Sequence, residues 1–99
     1  MTQYTRNVRF EIQPGKSQEF KSTMEKEVLP LMKKQEGFRG ELAMVNNDRA
    51  IGISLWDNQE HAEEYRTKTY PKVLETLKSV IQGTPSVENF DLAATTLKS

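Results

Sequence analysis

Cysteine is absent from the 99 residues, which excludes disulfides, thiolate metal sites and a cysteine nucleophile. Neither sign of charge is in excess: lysine plus arginine number 14 and aspartate plus glutamate number 14. A net charge of zero gives no electrostatic reason to expect nucleic acid or a membrane surface as partner. No apolar stretch is long enough to span a bilayer, and the run from Met1 to Arg6 lacks the apolar core of a signal peptide. Cytoplasm is therefore the expected location, and the lack of cysteine fits it. Histidine occurs once; one imidazole with scattered carboxylates is too few donors for a metal, so none is expected. What is present is the balance of a globular domain, with 35% apolar and 28% charged residues. The length suits one domain over residues 1–99, with a loose tail at residues 95–99.

From Tyr4 to Ile12 the residues alternate, with Val8, Phe10 and Ile12 on one face and Asn7, Arg9 and Glu11 on the other, which is the pattern of a half-buried strand. Pro14-Gly15 breaks it. Phe20, Met24, Val28 and Leu31 then recur at helical spacing. Pro30 should kink that helix or convert its last turn. Phe38 to Val45 and Ala50 to Trp56 form a hairpin around Asn46-Asn47-Asp48-Arg49. Asp57 is the expected N-cap of a helix through Ala62 and Tyr65, with Glu60 completing a capping-box pattern. Pro71 restarts a helix whose apolar face is Val73, Leu74, Leu77, Val80 and Ile81, with Gly83 and Pro85 ending it. Val87 to Ala94 is the last expected strand. The order β-α-β-β-α-β predicts an α+β, ferredoxin-like fold with a four-stranded antiparallel sheet.

An even-length turn pairs Met44 with Ile51, Leu42 with Ile53, Gly40 with Leu55, Ala43 with Gly52, Glu41 with Ser54 and Arg39 with Trp56. One face then carries Leu42, Met44, Ile51, Ile53 and Leu55, and the other Arg39, Glu41, Ala43, Val45, Ala50, Gly52, Ser54 and Trp56. Neither face is simply polar, whereas the fold covers only one with helices. Packing two sheets face to face removes the exposed patch, so a homodimer is expected. Apolarity alone puts the isoleucine face under the helices. The opposite choice puts Trp56, Gly52 and Ser54 in a pocket beneath the second helix.

Several residues could carry chemistry. Trp56, at a strand end before a helix, is placed to wall a pocket or to close the core. Tyr65 and Tyr70 combine an apolar ring with a hydroxyl that can hold a carbonyl or phenol, or they cap a core edge. His61 lies four residues before Tyr65 and could act near neutral pH, although Glu60, Glu63 and Glu64 give it a solvated setting. Arg9 and Arg39, grouped with Glu11 and Glu41, could orient an anionic ligand or form surface ion pairs. The paired carboxylates read as helix-surface groups with no apolar pocket to raise a pKa.

Ile12-Gln13-Pro14-Gly15-Lys16, Phe20, Gln35-Glu36-Gly37-Phe38-Arg39-Gly40 and Ser54-Leu55-Trp56-Asp57-Asn58-Gln59-Glu60-His61-Ala62 together resemble the antibiotic biosynthesis monooxygenase-like family, over nearly the whole chain. The resemblance implies a dimeric α/β barrel and a pocket between the sheet and the second helix, beside the strand-end tryptophan. That corresponds to Trp56 and favours the second face assignment. It also implies a cofactor-independent monooxygenase, with no cofactor, acting on a small aromatic, phenolic or quinol-like compound. The alternative is a non-catalytic small-molecule-binding or stress-response protein. Trp56, Tyr65 and Tyr70 would be the catalytic residues, and Arg9, Arg39, Ser54 and His61 the substrate-binding ones. Many relatives carry a histidine where this chain has Tyr65. The haem-degrading branch has an asparagine where this chain has Val8 and a histidine beyond the tryptophan that is missing here, which argues against haem.

Overall fold

The computed structural model of the chain describes residues 3–97. Strand β1 (Tyr4–Ile12) leads into a long helix built of α1 (Ser17–Thr23), a π-helical turn (Met24–Val28) and α2 (Leu29–Met32). Strands β2 (Phe38–Asn46) and β3 (Arg49–Trp56) follow, then helices α3 (Gln59–Lys68) and α4 (Tyr70–Leu77), and finally β4 (Ile81–Asp91). The sheet is antiparallel in the order β2-β3-β1-β4, the ferredoxin-like arrangement. Met1, Thr2, Lys98 and Ser99 lie outside the described residues, so the reading of the extreme N-terminus and of the tail is tested only over Thr95–Leu97, which carry no helix or strand. Among the described residues no helix is long and apolar enough to cross a membrane.

Both helical layers cover one face of the sheet. Val8, Phe10, Ile12, Ala50, Ser54 and Trp56 are buried beneath them, while Leu42, Met44 and Ile51 are exposed on the other side. The assignment from apolarity alone is thus reversed. The central strand β1 decides it, because its other face holds Asn7, Arg9 and Glu11. β1 also pairs Val8 with Gly52 and Phe10 with Ala50, so small β3 residues leave room for helix side chains. Phe20 fills that room, its ring 5.5 Å from Phe10.

Four local expectations need correction. Phe38, not Arg39, pairs with Trp56, because β2 slips by one residue between Phe38 and Gly40 and Arg39 occupies the bulge. Asn58 caps α3, its side chain accepting from the His61 backbone N–H at 2.8 Å, and Asp57 instead bonds the His61 ring. Helix α4 stops at Leu77, so Val80 and Ile81 are not on its face; Ile81 opens β4, which pairs across to Ile12. Gly83 and Pro85 lie inside β4, an edge strand whose register shifts beside them, where a residue without an N–H is tolerated. The strand ends at Asp91, short of Ala94.

The long helix contains the other departure. The Leu29 N–H reaches back five residues to the Met24 carbonyl, widening the turn just before Pro30. The extra residue keeps Phe20, Met24, Val28 and Met32 on the core side and leaves Leu31, the expected contact, half-buried.

Candidate active site

Three polar side chains stand in one row across the covered face. Arg6 of β1 pairs with Ser54 of β3, and Ser54 pairs with Glu41 of β2. The neighbouring rows are apolar or small: Tyr4, Trp56 and Phe38 on one side, Val8, Gly52 and Ala43 on the other. Period-two alternation therefore carries a cation and a carboxyl under the helices along with the core.

Arg6 is 1% exposed. Its guanidinium carbon lies 4.4 Å from the Tyr70 ring centroid and 5.3 Å from that of Tyr65, a cation held against two π faces. Its Nε and Nη2 have no hydrogen-bond partner, and neither has Oε1 of Glu41. Burial pushes the Glu41 carboxyl up to about 7, with Arg6 opposing the shift. Burial likewise pushes the Tyr65 and Tyr70 hydroxyls up, again against Arg6, so both stay protonated at neutral pH. Gly52 is what admits the carboxylate: a Cβ there would stand 2.9 Å from Glu41 Oε2.

These groups face a cavity of ≈ 20 Å³, lined also by Val8, Phe10, Met24, Val28, Met32 and Val73. That volume holds about one water molecule. A larger hollow of ≈ 500 Å³ lies partly on the opposite sheet face, among Arg9, Met44, Ile51 and Ser86, and no buried cation lines it.

The remaining candidates fall in different places. Trp56 is fully buried, donating from Nε1 to Ser54 Oγ at 2.9 Å. Its ring stacks at 4.9 Å against Tyr65, so it fixes Tyr65 and Ser54 from behind rather than lining the cavity. Tyr65, Tyr70 and Ser54 do line it. Arg9 pairs with Ile51 and is exposed on the far face, so it shares no group with Glu41. Arg39 is exposed at the bulge, 4.0 Å from Asp57. His61 bonds Asp57 through Nδ1 at 2.6 Å, with Nε2 at 3.6 Å from Glu36, at the outer end of β3. The hydrogen bond from Asp57 holds the imidazole above its ordinary pKa and the carboxylate below its own. Among the described residues no three His, Asp or Glu side chains group as metal ligands.

Sequence reasoning missed Arg6, Glu41 and the reason for Gly52. The signal for Arg6 was its phase: it sits two residues before Val8 on the apolar side of β1. Glu41 was already paired with Ser54 but read as a surface group.

No family model and no curated protein matches the chain. Solved structures do. One is a protein of unknown function from Nitrosomonas europaea, 18% identical, covering 100% of this chain and 97% of its own, with a TM-score of 0.84. Another, named as an antibiotic biosynthesis monooxygenase from Bordetella bronchiseptica, is 12% identical over 95% of this chain and 100% of its own, with a TM-score of 0.81. SnoaB, a cofactor-independent oxygenase from Streptomyces nogalater, is 15% identical over 99% of this chain and 100% of its own, with a TM-score of 0.79. The chain therefore has the fold of the antibiotic biosynthesis monooxygenases, with a row of buried polar residues of its own beneath the helices.

Proposed function

We propose that the chain is a cofactor-independent monooxygenase of a small aromatic, phenolic or quinol-like compound, working as a homodimer in the cytoplasm. The observation that carries this reading is Arg6, a buried guanidinium with two unpartnered nitrogens over a pair of tyrosine rings. A charge buried without a partner costs stability, so its retention points to use. In a site with little water, a fixed cation stabilises a developing oxyanion far more than it would in bulk solvent. An electron-rich aromatic anion can itself reduce oxygen, so the protein needs only to orient it, keep it dry and balance its charge. Tyr65 and Tyr70 flank the ring and its oxygen substituent, and Trp56 fixes Tyr65. The fold likeness to a cofactor-independent oxygenase supports the reading.

Oxygen uptake with a panel of quinols and anthrones tests it. Saturable uptake with one class is expected, falling roughly a hundredfold in kcat in Arg6→Met. Uptake with none of them would sink the reading. One observation favours the alternative of a non-catalytic binding or stress-response protein: the cavity of ≈ 20 Å³ admits a ring only after side chains move. Met24 and Met32, unbranched and adaptable, are the side chains to move. Saturable quenching of Trp56 fluorescence without oxygen uptake is the outcome that alternative requires.

The homodimer rests on the uncovered sheet face, where Leu42 is 51%, Met44 45%, Ile51 37% and Phe90 50% exposed. Leu42 pairs with Ile53 and Met44 with Ile51, so these side chains form one contiguous apolar surface that a second sheet would cover.

A further inference from the structure

The unpartnered atoms specify the group that fits between them, an argument that rests on the reading above. Arg6 and Glu41 stand on strands either side of β3, and among the described residues no ion pair within 4.0 Å joins them. The gap between them opens onto a cavity sized for one oxygen atom with its hydrogen. Arg6 offers donors through Nε and Nη2, whereas Glu41 offers an acceptor through Oε1. The occupant must accept from one side and donate to the other. A carboxylate or phosphate has no proton for Glu41 and adds a second negative charge beside it. An ammonium group cannot accept from Arg6 and repels it. A hydroxyl meets both demands. Around it the walls are aromatic at Tyr65 and Tyr70 and aliphatic elsewhere, which suits a ring.

We infer that Arg6 and Glu41 form a subsite for an acidic hydroxyl, that of a phenol, enol or hydroquinone, in which Glu41 takes the proton and Arg6 holds the resulting oxyanion. The ligand O–H bond breaks and a Glu41 Oε1–H bond forms. The electron pair stays on the ligand oxygen, and nothing is oxidised or reduced in this step. A base works best with its pKa near the operating pH, and burial has brought the Glu41 carboxyl to about 7. Glu41 is thus a catalytic residue beyond the tyrosines, and Gly52 is the positioning residue that leaves space for its carboxylate.

The test uses 4-nitrophenol, whose anion alone absorbs in the visible, titrated with the full-length protein. Wild type is expected to show the anion band on binding at a pH below the probe's own ionisation. Glu41→Gln should lose that band below the probe's pKa, and Arg6→Met should lose it at every pH. Both variants are near-isosteric, and Arg6→Met exchanges an unpaired buried charge for an apolar chain, so folding is expected to survive and is checked by circular dichroism. A probe that binds only as the neutral phenol, an anion band unchanged in Glu41→Gln, or no binding at all would each overturn the inference. Oxygen uptake separates this inference from the broader reading. If the probe ionises but no quinol or anthrone consumes oxygen, the proton-accepting subsite stands and the oxygenase falls. If uptake persists undiminished in both variants, the oxygenase stands and the subsite falls.

Discussion

At Glu41 the carboxyl has a pKa of about 7 in the folded chain against an ordinary 4.5, because burial disfavours its charged form. The folded state therefore binds this proton more tightly than the unfolded state does. The stabilising effect is full below about 4.5 and is lost as the pH rises through about 7, the reverse of a salt-bridged carboxylate. Urea unfolding across that window should show stability falling with rising pH by up to about 3 kcal/mol. The slope should flatten in Glu41→Gln; an unchanged slope would show that another group titrates. Much of this residue-scale picture was present in the sequence as phase. Arg6 alternates with Val8 and Phe10, and Glu41 pairs with Ser54. What alternation cannot supply is depth: Arg9, three residues on, is exposed because the strand turns it the other way. The tryptophan was legible as a strand end, but its bond to Ser54 depends on side-chain torsions that spacing does not encode.

Among the elements, the β2–β3 hairpin was readable almost pair by pair, since its two-residue turn at Asn47-Asp48 fixes the register. Asn47 takes the positive φ of 57° that the turn needs, a conformation asparagine tolerates. The bulge at Arg39 escaped because nothing in the alternation marks it. The end of α4 was misplaced for a related reason: Val80 and Ile81 continue a helical spacing, and short apolar runs fit helix or strand alike. Gly37 bears the tightest constraint at the hairpin's foot. It sits at φ 83°, its carbonyl accepts from the Asp57 N–H at 2.9 Å, and a Cβ there would fall on the Asp57 carboxylate and the His61 ring. Gly37→Ala should cost about 2 kcal/mol or more, lowering Tm by roughly 8 °C or more in a melt followed by circular dichroism. A shift of under about 2 °C would mean the Asp57–His61 contact yields without cost.

For the whole molecule, the order of elements was legible from periodicity, but the choice of covered face was not decided by apolar content. β3 is more apolar on its outer side, and β1 overrules it because the core needs a continuous surface across all the strands. The rejected face keeps its leucine, methionine and isoleucine exposed. Sedimentation of the wild type should give twice the 11.4 kDa chain mass. Placing like charges on that face with Leu42→Glu and Ile51→Glu should give monomers with the fold retained. A wild-type monomer would leave this surface free and remove the dimer.

The widened turn at Met24–Val28 has a consequence for how such a chain can change by descent. Substitutions there alter one contact at a time, but loss of a single codon would restore regular α-helical winding. Everything after it would turn by about 100° per residue removed, carrying Met32 off the core and the cavity wall. The segment is thus permissive to changed letters and unforgiving of changed length. A one-residue deletion could persist in a lineage only beside a compensating insertion before Met32.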